Sequence, residues 1–228
     1  AGSMRRSPLP SPRERAATVI LVHGLWTPAT VFALHDHWLR RDGYRVLRFG
    51  YASVRATLTE NAQQLSRFIA TTDAAEIHLV GHSLGGLIIL DVLRQSPDAR
   101  LRRALLLGTP CLGSDCARRL AALPGMPVLL GRSIMQWLSR SAGAPCSPPP
   151  NIEVGVLAGT RSLGLGRVLR GLPRPNDGVV TLAETQLPGA ADFLALPVAH
   201  SQMLASRRCA AQIASFLHTG HFQHAQPA

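Results

Sequence analysis

The stretch IHLVGHSLGGLIILDVL, residues 77 to 93, constrains this chain more than any other. Ile77, Leu79 and Val80 read as a short buried strand, and Leu87, Ile88, Leu90 and Val92 follow as the apolar side of a helix. Ser83 therefore sits where a strand turns sharply into a helix. Gly81, Gly85 and Gly86 remove side chains where such a turn brings backbones together, which lets a serine hold the strained position. The spacing is that of G-x-S-x-G, the nucleophile elbow. It lifts Ser83 Oγ out of the fold and aims the N–H of Leu84, the first of the helix, at a developing negative charge.

The rest of the chain repeats the strand-then-helix pattern. ATVILV (17–22) is a β-branched strand ending at HGLW (23–26), and a helix carrying Val31, Phe32, Leu34, Trp38 and Leu39 stops at Gly43. YRVLRFGY (44–51) is the next strand. Thr57 and Glu60 form a capping box for a helix running to Thr71. Strands follow the elbow unit at RALLLGT, IEVGVLAG (152–159) and DFLALPV (192–198), and a last helix spans about Ser201 to Leu217. Six strands alternating with helices predict an α/β fold: a mostly parallel sheet with helices on both faces and right-handed crossovers.

Residues 17–218 are expected to form this single domain. Ahead of them, residues 1–16 read as a disordered basic arm whose Ala1 to Ser3 look like a cloning remnant, and residues 219–228 read as a polar tail. Between about 110 and 150 the alternation breaks into two short helices (117–123 and 132–141) and a proline-rich stop, a lid-like insertion over the carboxyl end of the sheet, where ligands bind in such folds. The glycine- and arginine-rich stretch 160–176 is expected to be a mobile loop.

All 24 basic residues are arginine, against 13 acidic ones, for a net charge of +11. That balance draws the surface to anionic partners, an acidic lipid headgroup layer among them. The arginines are scattered and no nucleic-acid motif accompanies them, so nucleic acid is not expected as a partner. Cys111, Cys116, Cys146 and Cys209 lack metal-site spacing; with no export signal and no apolar run of membrane-spanning length, free thiols and a cytoplasmic, membrane-peripheral location are expected. No metal or other cofactor is called for.

A serine hydroxyl near neutral pH needs a base, and the base an orienting acid. Elbow enzymes order these as Ser, Asp or Glu, then His. His200 lies just past the last strand, ahead of the final helix, where a base reaches back over the sheet; His218, His221 and His224 fall in the polar tail. Asp91 and Asp98 belong to the elbow helix and its exit, and Asp192 opens a strand at the wrong end of the sheet. Asp177, in a turn before Gly178, and Asp115 remain as acids, although Asp115 also suits a helix N-cap. Leu25, beside Gly24 at the end of the first strand, is the natural second oxyanion donor. His35 and His37, two apart, do not share a helix face and read as surface residues.

HGLW (23–26), LVGHSLGG (79–86), GTPCLGS (108–114), NDGVV (176–180) and His200 together resemble the α/β-hydrolases of the small bacterial lipase and esterase type, over residues 19 to 217. The resemblance implies a minimal form of that fold, lacking the two additional N-terminal strands of larger members. It implies Ser83 as nucleophile, Asp177 as acid, His200 as base, and Leu25 with Leu84 as oxyanion donors. Trp26, Met135 and Trp137 are the expected substrate contacts. The expected activity is hydrolysis of carboxylic esters, lipid esters among them, through an acyl-enzyme. A thioesterase or acyltransferase on the same three residues, and a non-catalytic basic peripheral protein, are the alternatives.

Overall fold

The computed structural model describes residues 16–95, 97–140, 147–163 and 171–224. Within them the strands are β1 (Thr18–Val22), β2 (Arg45–Phe49), β3 (Ile77–His82), β4 (Leu101–Leu107), β5 (Glu153–Gly159) and β6 (Asp192–Leu196). They form one sheet in the order β2-β1-β3-β4-β5-β6, and every pairing is parallel. The helices are α1 (Ala33–Arg41), α2 (Leu58–Thr71), α3 (Leu84–Gln95), α4 (Asp115–Ala121), α5 (Met126–Ser139) and α6 (Arg207–Thr219).

A sheet buried on both faces needs apolar residues at successive positions, and β1 is buried throughout. Its alternation divides the core. Ile20 and Val22 pack with Leu65 and Ile69 of α2 and Ile88 and Ile89 of α3, whereas Val19 and Leu21 pack with Leu39 of α1 and Ile213 and Phe216 of α6. The Thr57–Glu60 capping box closes the start of α2 as expected. With β3 and β1 near the centre, every loop leaving a carboxyl strand end opens on the same side of the sheet.

Several sequence expectations are corrected. His35 is fully buried, because α1 presents it on the same stripe as Phe32 and Leu39, and its Nε2 bonds the carbonyl of Met203 at 2.8 Å. The N-cap of α4 is Ser114, whose hydroxyl accepts from the N–H of Ala117 at 3.1 Å; Asp115 is the first helical residue. The expected helix 132–141 is α5, which starts at Met126 and bends at Gly131 (φ 78°). The region 201–217 is a 3-10 turn, Ser201–Ala205, followed by α6. Beyond α6 the chain packs back: Phe222 is buried, its N–H donates to Asp192 Oδ2 at 2.7 Å, and His224 Nε2 lies 2.9 Å from Asp192 Oδ1. Of the other expectations, the basic arm up to residue 15, Cys146, residues 164–170 of the expected mobile loop and residues 225–228 of the tail lie outside the described residues.

His78 of β3 gives the fold a pH dependence. Burial, with Arg103, His218 and Arg102 facing it, pushes its imidazole down to about 4 from the ordinary 6.5. Glu76 Oε1 lies 3.1 Å from its Nε2 but is half exposed, so its attraction is screened. The unfolded chain then binds the extra proton between these two values, so folded stability falls as pH drops from 6.5 towards 4, by about 3 kcal/mol from this residue. Urea unfolding at pH 7 and pH 5 should show the loss, and His78→Leu should reduce it, leaving the part due to the other buried histidines, His23, His35 and His82.

Candidate active site

Ser83 has φ 53°, in the left-handed region that a serine enters only under constraint. The constraint is packing. A Cβ on Gly85 would stand 2.1 Å from the carbonyl oxygen of Val22, and one on Gly86 2.0 Å from Thr109 Oγ1. The elbow therefore presses directly on the ends of β1 and β4. The Ser83 N–H donates to the carbonyl of Leu107 at 2.9 Å, which fixes the turn from the β4 side.

His200 and Asp177 meet beside it. His200 N-caps the 3-10 turn Ser201–Ala205, and its Nδ1 lies 2.7 Å from Oδ2 of the fully buried Asp177. The backbone adds a second tie, from the N–H of His200 to the carbonyl of Asp177 at 2.9 Å. Asp177 Oδ1 accepts the N–H groups of Val179 and Val180 at 2.9 and 2.7 Å, so its carboxylate is held on both oxygens. Gly178 makes this loop possible: φ is 100°, and an added Cβ would sit 1.8 Å from the carbonyl oxygen of Leu163. With Oδ2 accepting, the Nδ1 of His200 carries the proton and Nε2 keeps its lone pair. Ser83 and His200 line one cavity, and among the described residues no hydrogen bond joins their side chains. Asp115, the other acid considered, is partly exposed and paired with Arg118 and Arg119.

Leu25 and Leu84 line the same cavity as Ser83, and among the described residues neither N–H has a protein acceptor. The HG turn is braced from below. Tyr51 O–H donates to the carbonyl of His23 at 2.7 Å, the two rings stack 4.2 Å apart, and His23 Nδ1 reaches the carbonyl of Gly24 at 2.9 Å. Burial lowers the pKa of His23, which keeps this brace neutral.

The cavity has a volume of about 280 Å³. The apolar part of its wall includes Leu87 of α3, Leu120 of α4, and Leu130, Ile134 and Trp137 of α5. Of the apolar residues the sequence offered for this wall, Trp26, Ile134 and Trp137 line it, whereas Met135 and Leu138 are not among the lining residues. Adjacent apolar residues on a helix leave the inward one undecided until the helix phase is known, and the Gly131 bend resets that phase.

Two residues passed over in the sequence also belong here. His82, next to Ser83, is buried with its ring 4.5 Å from that of His200, and its Nε2 donates to the carbonyl of His200 at 3.1 Å. Burial and the facing His200 hold its pKa well below the ordinary value, so it acts as a neutral prop for the His200 turn. Cys116 lines the cavity, and burial pushes its thiol up to about 11, which keeps it protonated. The sequence signal for His82 was its place beside Ser83; Cys116 offered none.

Comparison with known proteins agrees with this architecture. The sequence profile of the Alpha/beta hydrolase family matches residues 19–228. Among solved structures, the mature form of a Bacillus licheniformis lipase superposes with a TM-score of 0.67 at 17% identity, covering 92% of this chain and 93% of that one. A thermophilic esterase from Thermogutta terrifontis gives 0.64 at 16% identity, with 90% of each chain covered. A carboxyl esterase from a metagenome gives 0.62 at 21%, covering 87% of this chain and 68% of the other. At such identities the likeness is one of fold.

Proposed function

The chain belongs to the alpha/beta hydrolase family, and from that premise we propose that it is a serine hydrolase cleaving carboxylic esters through an acyl-enzyme. The observation that carries the reading is the buried Asp177 held 2.7 Å from Nδ1 of His200, which lines the same cavity as the strained Ser83. Asp177 fixes the tautomer in which His200 Nε2 accepts a proton. His200 takes the Ser83 hydroxyl proton as Oγ attacks the ester carbonyl, and the N–H groups of Leu25 and Leu84 receive the oxyanion. The leaving alcohol takes that proton from Nε2. Water, deprotonated by His200, then releases the acid and restores Ser83.

The apolar wall suits the acyl part of the substrate. A volume near 280 Å³ lies towards the small end for ligand pockets, so the favoured acyl groups are short to medium. Ile134→Trp should fill part of that wall. It is expected to lower kcat/KM for an octanoyl nitrophenyl ester by about tenfold while changing that for the acetyl ester little. Equal losses on both esters would remove the wall from acyl recognition.

Labelling by a fluorophosphonate probe tests the core of the reading. Wild type should label and Ser83→Ala should not; an unlabelled wild type would favour the non-catalytic alternative. Thiol release from an acyl thioester, or transfer to an added alcohol in competition with water, distinguishes the thioesterase and acyltransferase variants, which share every step up to the acyl-enzyme.

A further inference from the structure

Exposed large apolar side chains are concentrated on the segments that border the cavity, where Trp26, Leu120 and Leu130 line it and Leu123, Val128 and Leu129 lie within three residues of Leu120 or Leu130 in the chain. Trp26 is 51% exposed, Leu123 48%, Val128 78% and Leu129 58%, all far above the burial of the core. Trp26 lines the cavity, and its indole N–H donates to the carbonyl of Leu129 at 2.7 Å, which joins the turn after β1 to the first half of α5. Just past the Gly131 bend, Arg132 donates to the carbonyl of Arg55 at 3.3 Å and keeps a side chain 63% exposed. Its only paired carboxylate among the described residues is the half-exposed Glu60, 3.8 Å away. Large apolar side chains grouped at a cavity mouth mark an interaction site.

We propose that this rim docks on an anionic lipid surface, with Trp26, Leu123, Val128 and Leu129 entering the headgroup boundary and Arg55 and Arg132 meeting the headgroup charge. The inference rests on the ester-hydrolase reading for its purpose, since docking there would present a lipid ester to Ser83. Charge selects the occupant. A net charge of +11 makes a second copy of this chain repulsive and an anionic layer attractive. The half of α5 after Gly131 is anchored to the domain, with Ser133 Oγ donating to the carbonyl of Ala56 at 2.8 Å and Gln136 Oε1 accepting from the N–H of Thr59 at 3.0 Å. The rim residues before the bend are thus presented on a fixed base.

The test is flotation of the full chain with vesicles of phosphatidylcholine alone and of phosphatidylcholine mixed equally with phosphatidylglycerol, at about 0.1 M salt. Binding to the anionic vesicles should be at least tenfold stronger. Leu123→Glu with Val128→Glu should weaken it by about tenfold or more, and Arg55→Gln with Arg132→Gln should return it towards the neutral-vesicle value. All four side chains are exposed, and thermal melts of the variants check that the fold survives. Hydrolysis of a soluble acetyl ester should be unchanged in the glutamate pair. Ser83→Ala should bind vesicles like wild type; a wild type that docks but turns over no ester, or a Ser83→Ala variant that docks and keeps full turnover, would overturn the hydrolase reading and leave the surface standing. Equal binding to both vesicle types, binding indifferent to these substitutions, or a lipid-free dimer that buries Trp26 would overturn the docking proposal.

Discussion

Ser83→Ala is expected to lower nitrophenyl ester turnover by about four to six orders of magnitude, leaving substrate binding and the melting temperature close to wild type. Removing the nucleophile of such a group costs about as much as removing the whole group, because its members act as one unit. What remains is whatever the Leu25 and Leu84 N–H groups and the apolar wall do for attack by water. The fold should not notice the change, since Ser83 Oγ makes no hydrogen bond among the described residues and the turn is fixed by backbone contacts of Ser83, Gly85 and Gly86. Steady-state kinetics against a range of acyl lengths, with a thermal melt of the same sample, checks both halves. Residual activity above a tenth of wild type would remove Ser83 from the chemistry.

This serine is legible in the sequence for a reason of space. An imagined Cβ would stand 2.6 Å from backbone at Gly81, 2.1 Å from backbone at Gly85 and 2.0 Å from the Thr109 side chain at Gly86, which leaves room for glycine alone, so the motif's spacing encodes the turn itself. The six strands were legible for a similar reason: parallel strands covered on both faces need continuous apolar runs. Reading failed where two local rules competed. His35 and His37 do lie on opposite faces of α1, but that places one of them inward, and the Phe32-His35-Leu39 spacing identifies which. Its cost is met by a hydrogen bond to Met203, a contact 168 residues away that no local pattern contains. The first half of α5 was invisible because Pro127 and Gly131 read as breakers around only a few residues, whereas Pro127 occupies the permissive first turn and Gly131 forms a bend. The tail past α6 looked polar, yet Phe222 anchors it on Phe216 with ring centroids 5.1 Å apart. The distinction between Asp177 and Asp115 also needed the structure, since both follow a strand at the correct end of the sheet.

Asp177→Asn should separate those two acids most sharply, with kcat lowered about 10⁴-fold and KM little changed. The reason lies in what each carboxylate oxygen touches. Oδ1 accepts the N–H groups of Val179 and Val180 at 2.9 and 2.7 Å, so an asparagine must place its carbonyl oxygen there. Its NH₂ group then faces His200 Nδ1, 2.7 Å away in the wild type. A donor at that position demands a lone pair on Nδ1 and moves the ring proton to Nε2, the atom that must accept from Ser83. The imidazole would remain in place and hold the wrong tautomer, and no negative charge would stabilise it once protonated. Asp115→Asn disturbs only the partly exposed pairs with Arg118 and Arg119, whose contribution is small, and its rate should stay within about twofold of wild type. Measured together across pH 6 to 9, the two variants give opposite outcomes for the two assignments. A near-normal Asp177→Asn beside an inactive Asp115→Asn would transfer the orienting role to Asp115, and with it the whole account of how His200 is held.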